Sequence, residues 1–425
     1  MSQATSFAAD LCIKCNVCTA ACPVAAATDL FPGPKAVGPQ FERFRHPSLP
    51  LPDHSVSWCS GCGVCSRVCP HGVPVTEVNL QAKARLAESR PLRPRDWLLA
   101  RPAMLATLAA PGTGLANAVL QSTFARRFLQ RVAGLAELAP LPPFRSTTLR
   151  RMMRAHRAQV PPAARRSRRP TVAYFHGCST DRYEWEVGAA AMAILERLGA
   201  QVVLPPQGCC GLPLQSNGFF RAARAYARHN ARKLRPFLES GIPIVATSTS
   251  CGLALKHEYR AVLGLEGEEF DLLAQGTNDF FELITSQFAD ELNDTGFQWV
   301  DRTVVYHPPC QLRSHGIGTP ALEVLRRIPG LRLILSEAEC CGVAGTYGLK
   351  AEQFAVARQV GSPLFGELAR ETPDFVLTDS ETCRWWIGGL AHVPTIHPLM
   401  LVASAMELAE VPVLSEGRAR TYAAP

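Results

Sequence analysis

Two cysteine runs near the start of the chain constrain its fold more than anything else in its 425 residues. The first reads CIKCNVCTAACP and sets Cys12, Cys15, Cys18 and Cys22 ahead of Pro23. The second reads CSGCGVCSRVCP and sets Cys59, Cys62, Cys65 and Cys69 ahead of Pro70. Each is C-x2-C-x2-C-x3-C-P. At this spacing three close thiolates grip one face of a cubane [4Fe–4S] cluster, and the fourth reaches a second cluster. The runs therefore predict two cubanes. Cys12, Cys15, Cys18 and Cys69 would hold one, and Cys59, Cys62, Cys65 and Cys22 the other. Ser60, Gly61 and Gly63 are small enough for the second loop to close around its cluster and offer N–H groups to the sulfides. A zinc ribbon or a disulfide framework is the plain alternative. Two complete copies, each with a following proline, fit zinc-ligand spacings poorly.

Sixteen cysteines that cluster in a chain of this length point to metal and a reducing compartment, not to a disulfide scaffold. The N-terminal MSQATSFAADL has neither the basic nor the apolar stretch of a secretory leader. No run of eighteen strongly apolar residues is present, so no transmembrane helix is expected. A hydrophobic fraction of 47% suits a globular chain of two or three domains.

Charge is unevenly spread. Between Arg85 and Arg169 there are seventeen arginines and three acids, Glu88, Asp96 and Glu137. Within this block, Pro102 to Ala125 carries no charge at all, and Arg126, Arg127 and Arg131 follow directly. Pro111, Gly112 and Gly114 should break the uncharged stretch into two helices too short to span a bilayer. Apolar faces flanked by arginine suit an anionic membrane surface or a membrane subunit. The other reading is a helical hairpin packed on the iron–sulfur module with solvated arginines. Nucleic acid is not an expected partner, because the block has few interleaved aromatics and no recognition motif. RRSRRP, Arg165 to Pro170, reads as a linker.

Elsewhere the pattern is regular. FPGPKAVGPQFERFR reads as a loop around the clusters followed by a short helix, and Val75 to Glu88 as the helix that closes the module. From residue 171 short β-branched runs alternate with helical ones: TVAYFHGC, AQVVLP and PIVATSTSC, then RTVVYHPPC, LRLILSE and FVLTDSETC. This rhythm predicts parallel sheets. It also repeats. Cys178, Cys209–Cys210–Gly211 and Cys251 recur as Cys310, Cys340–Cys341–Gly342 and Cys383, about 131 residues later and in register, the mark of an internal duplication. The predicted class is a multidomain α+β protein: an α-helical dicluster ferredoxin-like module at 1–90, a connector at 91–170, and a duplicated α/β domain with parallel strands at 171–300 and 301–425.

In each repeat Cys178, Cys209, Cys210 and Cys251, or Cys310, Cys340, Cys341 and Cys383, should converge at the carboxyl ends of the strands. One or two further iron–sulfur or zinc centres are expected there, since thiolate sets suit both metals; free thiols are the remaining option. His176 and His307 lie just before the first cysteine of each repeat and are expected to be hydrogen-bonded residues at the strand ends. His257, His315 and His397 have no assigned role. No nucleotide loop, flavin site or hydrolytic triad is evident.

The twin-cluster start and the two C…CCG…C repeats resemble the heterodisulfide-reductase-related iron–sulfur proteins, which include the glycolate oxidase iron–sulfur subunits. The nearer likeness is to the branch of anaerobic glycerol-3-phosphate dehydrogenase C subunits. CIKCNVCTAACPV, FPGPKAVGPQFERFR, CCGVAGTYG with the later PLFGEL, and SETCRWWI carry it. It covers nearly the whole chain and is thinnest from 90 to 170. The resemblance implies an electron-transfer subunit that takes electrons from a flavin-dependent dehydrogenase partner and passes them to membrane quinone. It would be cytoplasmic, peripheral on the cytoplasmic face of the inner membrane. It also leaves open a glycolate or other 2-hydroxy acid oxidase as the partner enzyme, and a disulfide-reducing catalytic role. The last is disfavoured, because Ser248 and Ser380 stand where the five-cysteine form of the repeat has its fourth thiolate.

Overall fold

The duplication becomes two parallel four-stranded sheets. In this computed structural model residues 9–45, 51, 53–154 and 169–408 are described; MSQATSFA and most of the RRSRRP linker lie outside them. The first sheet comprises β1 (Thr171–Phe175), β2 (Gln201–Val203), β3 (Ile244–Ala246) and β4 (Thr277–Asp279), in the order β2-β1-β3-β4. The second comprises β5 (Arg302–Tyr306), β6 (Leu331–Leu335), β7 (Phe375–Leu377) and β8 (Thr395–Ile396), in the order β6-β5-β7-β8. Ala173 pairs with Val203 on one side and Ile244 on the other, as Val304 pairs with Leu333 and Phe375. The strands β4 and β8 have three and two residues and carry no alternation that a sequence reading could register.

Strands covered on both faces need continuous apolar runs, and β1 and β5 supply them. Val172, Tyr174, Val304 and Tyr306 share one core with Leu195, Phe281 and Leu401, so the two repeats are joined by common packing. Long helices, Phe220–Glu239 and Ala351–Glu371, cover the opposite faces.

The ferredoxin-like module is attached through α1 (Val75–Glu88), whose bounds match the sequence reading. Leu80 and Ala84 of α1 are buried in the core of the first repeat. Ala82 and Leu86 pack with Val356 and Val360 of the second. One amphipathic helix is thus wedged between both repeats and fixes the cysteine runs against them. As expected, the FPGPKAVGPQFERFR stretch starts as a loop at residues 31–33 and continues as helix over 34–42, with a π-turn over Ala36–Gln40; the helix is kinked at Gly38, which leaves helical geometry and so accommodates Pro39.

The connector departs from expectation in two ways. A 3-10 turn at Ala110–Gly112 does separate α2 (Pro102–Ala109) from α3 (Thr113–Gln121). The two helices and the turn nevertheless form one stretch of twenty residues, Pro102–Gln121, long and apolar enough to cross a membrane by length and composition alone, with a mean hydropathy of 1.4 over an eighteen-residue window. Pro111 does not stop it, because a proline in the first turn of a new helical segment gives up no hydrogen bond. Secondly, the connector packs on the repeats as well as on the iron–sulfur module, where Ala100 shares a core with Leu80 and Ala84 of α1. Tyr183 donates to the Pro102 carbonyl at 2.8 Å, and the Leu135 backbone bridges to Lys350. Its arginines are also not simply solvated. Arg95 forms a two-pronged pair with Glu352 at 2.7 and 2.8 Å, Arg145 reaches Glu186 at 2.9 Å, and buried Arg126 donates to the carbonyls of Ala136, Glu137 and Ala139.

Candidate iron–sulfur and thiol sites

Each cysteine run makes a tight loop followed by one turn of helix. In the second loop Gly61 and Gly63 take left-handed backbone angles, φ 70° and 83°. The equivalent residues of the first loop, Lys14 and Asn16, take the same turn at φ 64° and 69° despite their side chains. Such strain at non-glycine positions is kept where surrounding structure demands it. The loops bring Cys12, Cys15, Cys18 and Cys69 to the wall of one small cavity, and Cys22, Cys59, Cys62 and Cys65 to the wall of another. Burial pushes the Cys22 thiol up to about 11 and the Cys62 thiol up to about 12, and raises Cys59 and Cys65 as well. Four such groups ionise together only beside concentrated positive charge. Among available groups, an iron–sulfur cluster suits that donor set, with each cysteine run giving three thiolates to one cavity and one to the other. Cys15 is exposed at the outer cavity, with exposed Leu11, Ile13 and Val17 beside it.

The inner cavity faces the repeats. Cys59 and Cys22 pack in one buried cluster with Cys340. Arg67, on the turn after Cys65, donates to the Cys310 carbonyl at 3.4 Å and to Ser314 at 3.2 Å.

Within the repeats the loops after β1, β2 and β3, and after β5, β6 and β7, carry the cysteines, and parallel strands gather them at one end of each sheet. Cys178 and Cys209 lie 3.5 Å apart, and Cys341 and Cys383 3.1 Å apart. Hydrogen bonds from Cys178 and Cys210 hold the Cys209 thiol well down, and those from Cys310 and Cys341 do the same for Cys340. Gly211 (φ 88°) and Gly342 (φ 97°) turn the chain after each vicinal pair and donate their N–H groups to Cys209 and Cys340. A Cβ on Gly342 would meet the Ala357 carbonyl oxygen at 2.0 Å, so no other residue fits. Clustered thiols of this kind accept iron–sulfur or zinc.

The two serines are engaged elsewhere. Ser248 caps the next helix by accepting from the Cys251 N–H at 3.3 Å, and donates to Glu381 of the other repeat at 2.9 Å. The Ser380 and Thr382 hydroxyls lie 3.3 Å apart. The histidines divide. His176 follows expectation: Nε2 accepts from Arg150 at 2.8 Å, and Nδ1 lies 2.6 Å from the Gly177 carbonyl. His307 does not, since neither ring nitrogen has a hydrogen-bond partner among the described residues. Burial lowers both imidazoles to about 4, so both are neutral. His315 and His397 hold backbone carbonyls of Thr249 and Thr247 in the first repeat, a bracing role that sequence did not reveal.

Both repeats open on one chamber of about 380 Å³. Cys178, Cys210 and Cys251 line it, as do Cys310, Cys341 and Cys383, together with Cys62 of the module. The connector closes it with Leu105, Leu120, Leu129, Leu141 and Phe144.

An iron–sulfur module with two four-cysteine cavities, fixed against a duplicated cysteine-rich domain, defines an iron–sulfur electron-transfer subunit of an oxidoreductase. Comparison with known proteins agrees: residues 8–73 match the 4Fe-4S dicluster domain, and residues 172–256 and 304–388 the cysteine-rich domain. The chain is 34% identical to the C subunit of anaerobic glycerol-3-phosphate dehydrogenase from Escherichia coli K12, over 95% of this chain and 99% of that protein. It therefore belongs to the family of these C subunits. The glycolate oxidase iron–sulfur subunit of the same organism is 25% identical, over 93% of this chain and 94% of the relative. D-2-hydroxyglutarate dehydrogenase of Pseudomonas putida is 25% identical over 82% of this chain, which spans 34% of that larger protein.

Proposed function

We propose that the chain takes electrons from a flavin-dependent dehydrogenase partner near Cys15 and hands them to quinone in the chamber between the repeats. The route would run from the outer cysteine set (Cys12, Cys15, Cys18 and Cys69) to the inner set, then to the second repeat, whose Cys340 packs with Cys22 and Cys59. The eight N-terminal cysteines would ligate the two cubanes in the sets given above, and each repeat's four cysteines a further metal centre. Bound clusters supply one-electron carriers; the chain's residues hold them in line and exclude water between them. The partner we assign is a glycerol-3-phosphate dehydrogenase, on the strength of the 34% identity across nearly the full length of the E. coli protein.

One observation carries the acceptor end: cysteines of both repeats and of the module share a single chamber with a largely apolar wall, in which Leu105, Leu129, Phe144 and Trp386 stand beside a few polar groups such as Gln215 and Glu381. An apolar cavity of this size with a few convergent polar groups suits a small ring-bearing ligand. The connector offers a route from lipid. Leu108, Leu115, Val119, Phe124, Phe128 and Val132 on α2, α3 and α4 (Thr123–Ala133) are exposed, Leu115 at 75% and Phe124 at 82%. Arg127 and Arg131 are exposed beside them. This combination supports a subunit lying on the anionic cytoplasmic face of the inner membrane.

The test is reoxidation of dithionite-reduced protein by a short-chain quinone, followed by the visible absorbance of the clusters. Filling the chamber with Leu120→Trp should slow it by about tenfold, a barrier change of about 1.4 kcal/mol, without loss of iron. Equal rates with full iron would contradict quinone reduction in the chamber. Reduction of the clusters by glycerol-3-phosphate in the presence of a co-purified flavoprotein tests the donor end.

A further inference from the structure

The two repeats share their cysteine register and strand order, yet they treat their strand-end histidines differently. After β1 the chain reads His176–Gly177–Cys178; after β5 it reads His307–Pro308–Pro309–Cys310, one residue longer. The left-handed Gly177 (φ 62°) folds its carbonyl back onto His176 Nδ1, and Arg150 occupies Nε2. Two prolines hold the second loop extended, with Pro309 at φ −66° and ψ 151°. The Pro308 carbonyl, which stands where Gly177's would, accepts from Arg313 at 3.5 Å instead. His307 is left 0% exposed with both nitrogens unpartnered among the described residues. A buried polar ring without partners is costly and uncommon. Here it sits beside two thiols: the ligating atoms of His307, Cys341 and Cys383 all lie within 4.8 Å of one another.

We propose that the second repeat holds a mixed imidazole–thiolate metal centre in which His307 is a ligand alongside Cys341 and Cys383, while the first repeat uses thiolates alone. The inference rests on the reading that the repeats bind metal. Metal bonding supplies the partner His307 otherwise lacks, and the ring nitrogen takes up a place that Ser380, beside Thr382, does not fill. The donor set admits an iron–sulfur cluster or a four-coordinate zinc. If the centre is iron–sulfur, exchanging an anionic thiolate for a neutral imidazole raises its reduction potential. That would make the second repeat, next to Cys62, an electron sink for the cubanes, and set it apart from the first.

The experiment uses full-length, anaerobically purified protein labelled with ¹⁵N-histidine, with metal and labile-sulfide analysis and pulsed EPR of the reduced clusters. A directly coupled histidine nitrogen, lost in His307→Gln and retained in His176→Gln, is the expected result. Should His307→Gln not fold, the labelled wild-type signal and its survival in His176→Gln decide the matter. If the additional metal is zinc, X-ray absorption at the zinc edge replaces EPR, with a nitrogen in the zinc shell expected. Additional metal with sulfur ligands only, or a nitrogen signal that His307→Gln leaves unchanged, overturns the proposal alone. Cubane iron with no further metal overturns the reading beneath it.

Discussion

Glu184, at the end of the first cysteine loop of repeat 1, is ion-paired with Arg384, which directly follows Cys383 of repeat 2. Arg384 Nε lies 3.3 Å from Glu184 Oε1, and the Trp385 indole donates to the same oxygen at 3.0 Å. Both charged residues are buried, and Cys178 and Cys383 flank the same chamber.

Removing one member of this pair leaves a buried charge uncompensated. Arg384→Met should destabilise the folded chain by about 3–5 kcal/mol. Glu184→Gln/Arg384→Met together should cost less than the single change. Anaerobic thermal unfolding of the three proteins checks this; a single variant as stable as the wild type would contradict it.

The crossed cysteine sets predict which variants share a phenotype. Cys69→Ser should disturb the same EPR component as Cys12→Ser, although 57 positions separate them in the chain. Cys22→Ser should pair with Cys62→Ser. If each variant instead grouped with its own run, the cavities would not be the cluster sites drawn here.

Exposed phenylalanines on α4 predict membrane attachment. Phe124→Glu/Phe128→Glu should weaken flotation with anionic liposomes by tenfold or more, since full burial of each phenylalanine contributes about 1.5–3 kcal/mol. Salt should weaken wild-type binding in part, through Arg127 and Arg131. Flotation unaffected by the double change would remove the connector from the membrane.

Two buried carboxyls, Asp279 and Asp379, set a pH dependence. Burial first, and then the neighbouring Asp379 charge, raises Asp279 to about 8, and burial raises Asp379 to about 6. The folded chain therefore keeps protons that the unfolded chain has released above about 4. Their contribution to stability is full below that pH and is lost as the pH rises through about 8. Asp279→Asn can still accept from the Phe281 N–H, a bond of 2.9 Å in the wild type. Thermal unfolding between pH 6 and 8 should be flatter in this variant; an unchanged slope would contradict the assignment.

Much of this architecture was legible in order and spacing. The cysteine runs fix their own loops because the ligands lie three or four residues apart, and the CCG repeat announces itself by its register. The sequence reading failed where distant residues decide. Arg126 and Arg95 read as surface charge, yet their partners, Ala139 and Glu352, are set by how the connector docks. His307 looked like His176 because the difference is two prolines in place of one glycine and a carbonyl turned towards Arg313. The chamber was invisible for the same reason, since its walls come from the module, the connector and both repeats.

The proposed function requires a continuous iron–sulfur relay through this chain. Iron and acid-labile sulfide counted on anaerobically purified protein test it most directly. About eight irons and eight sulfides per chain are expected for the cubane pair, with further metal in the repeats. Fewer than about six irons per chain, or no labile sulfide, would contradict it.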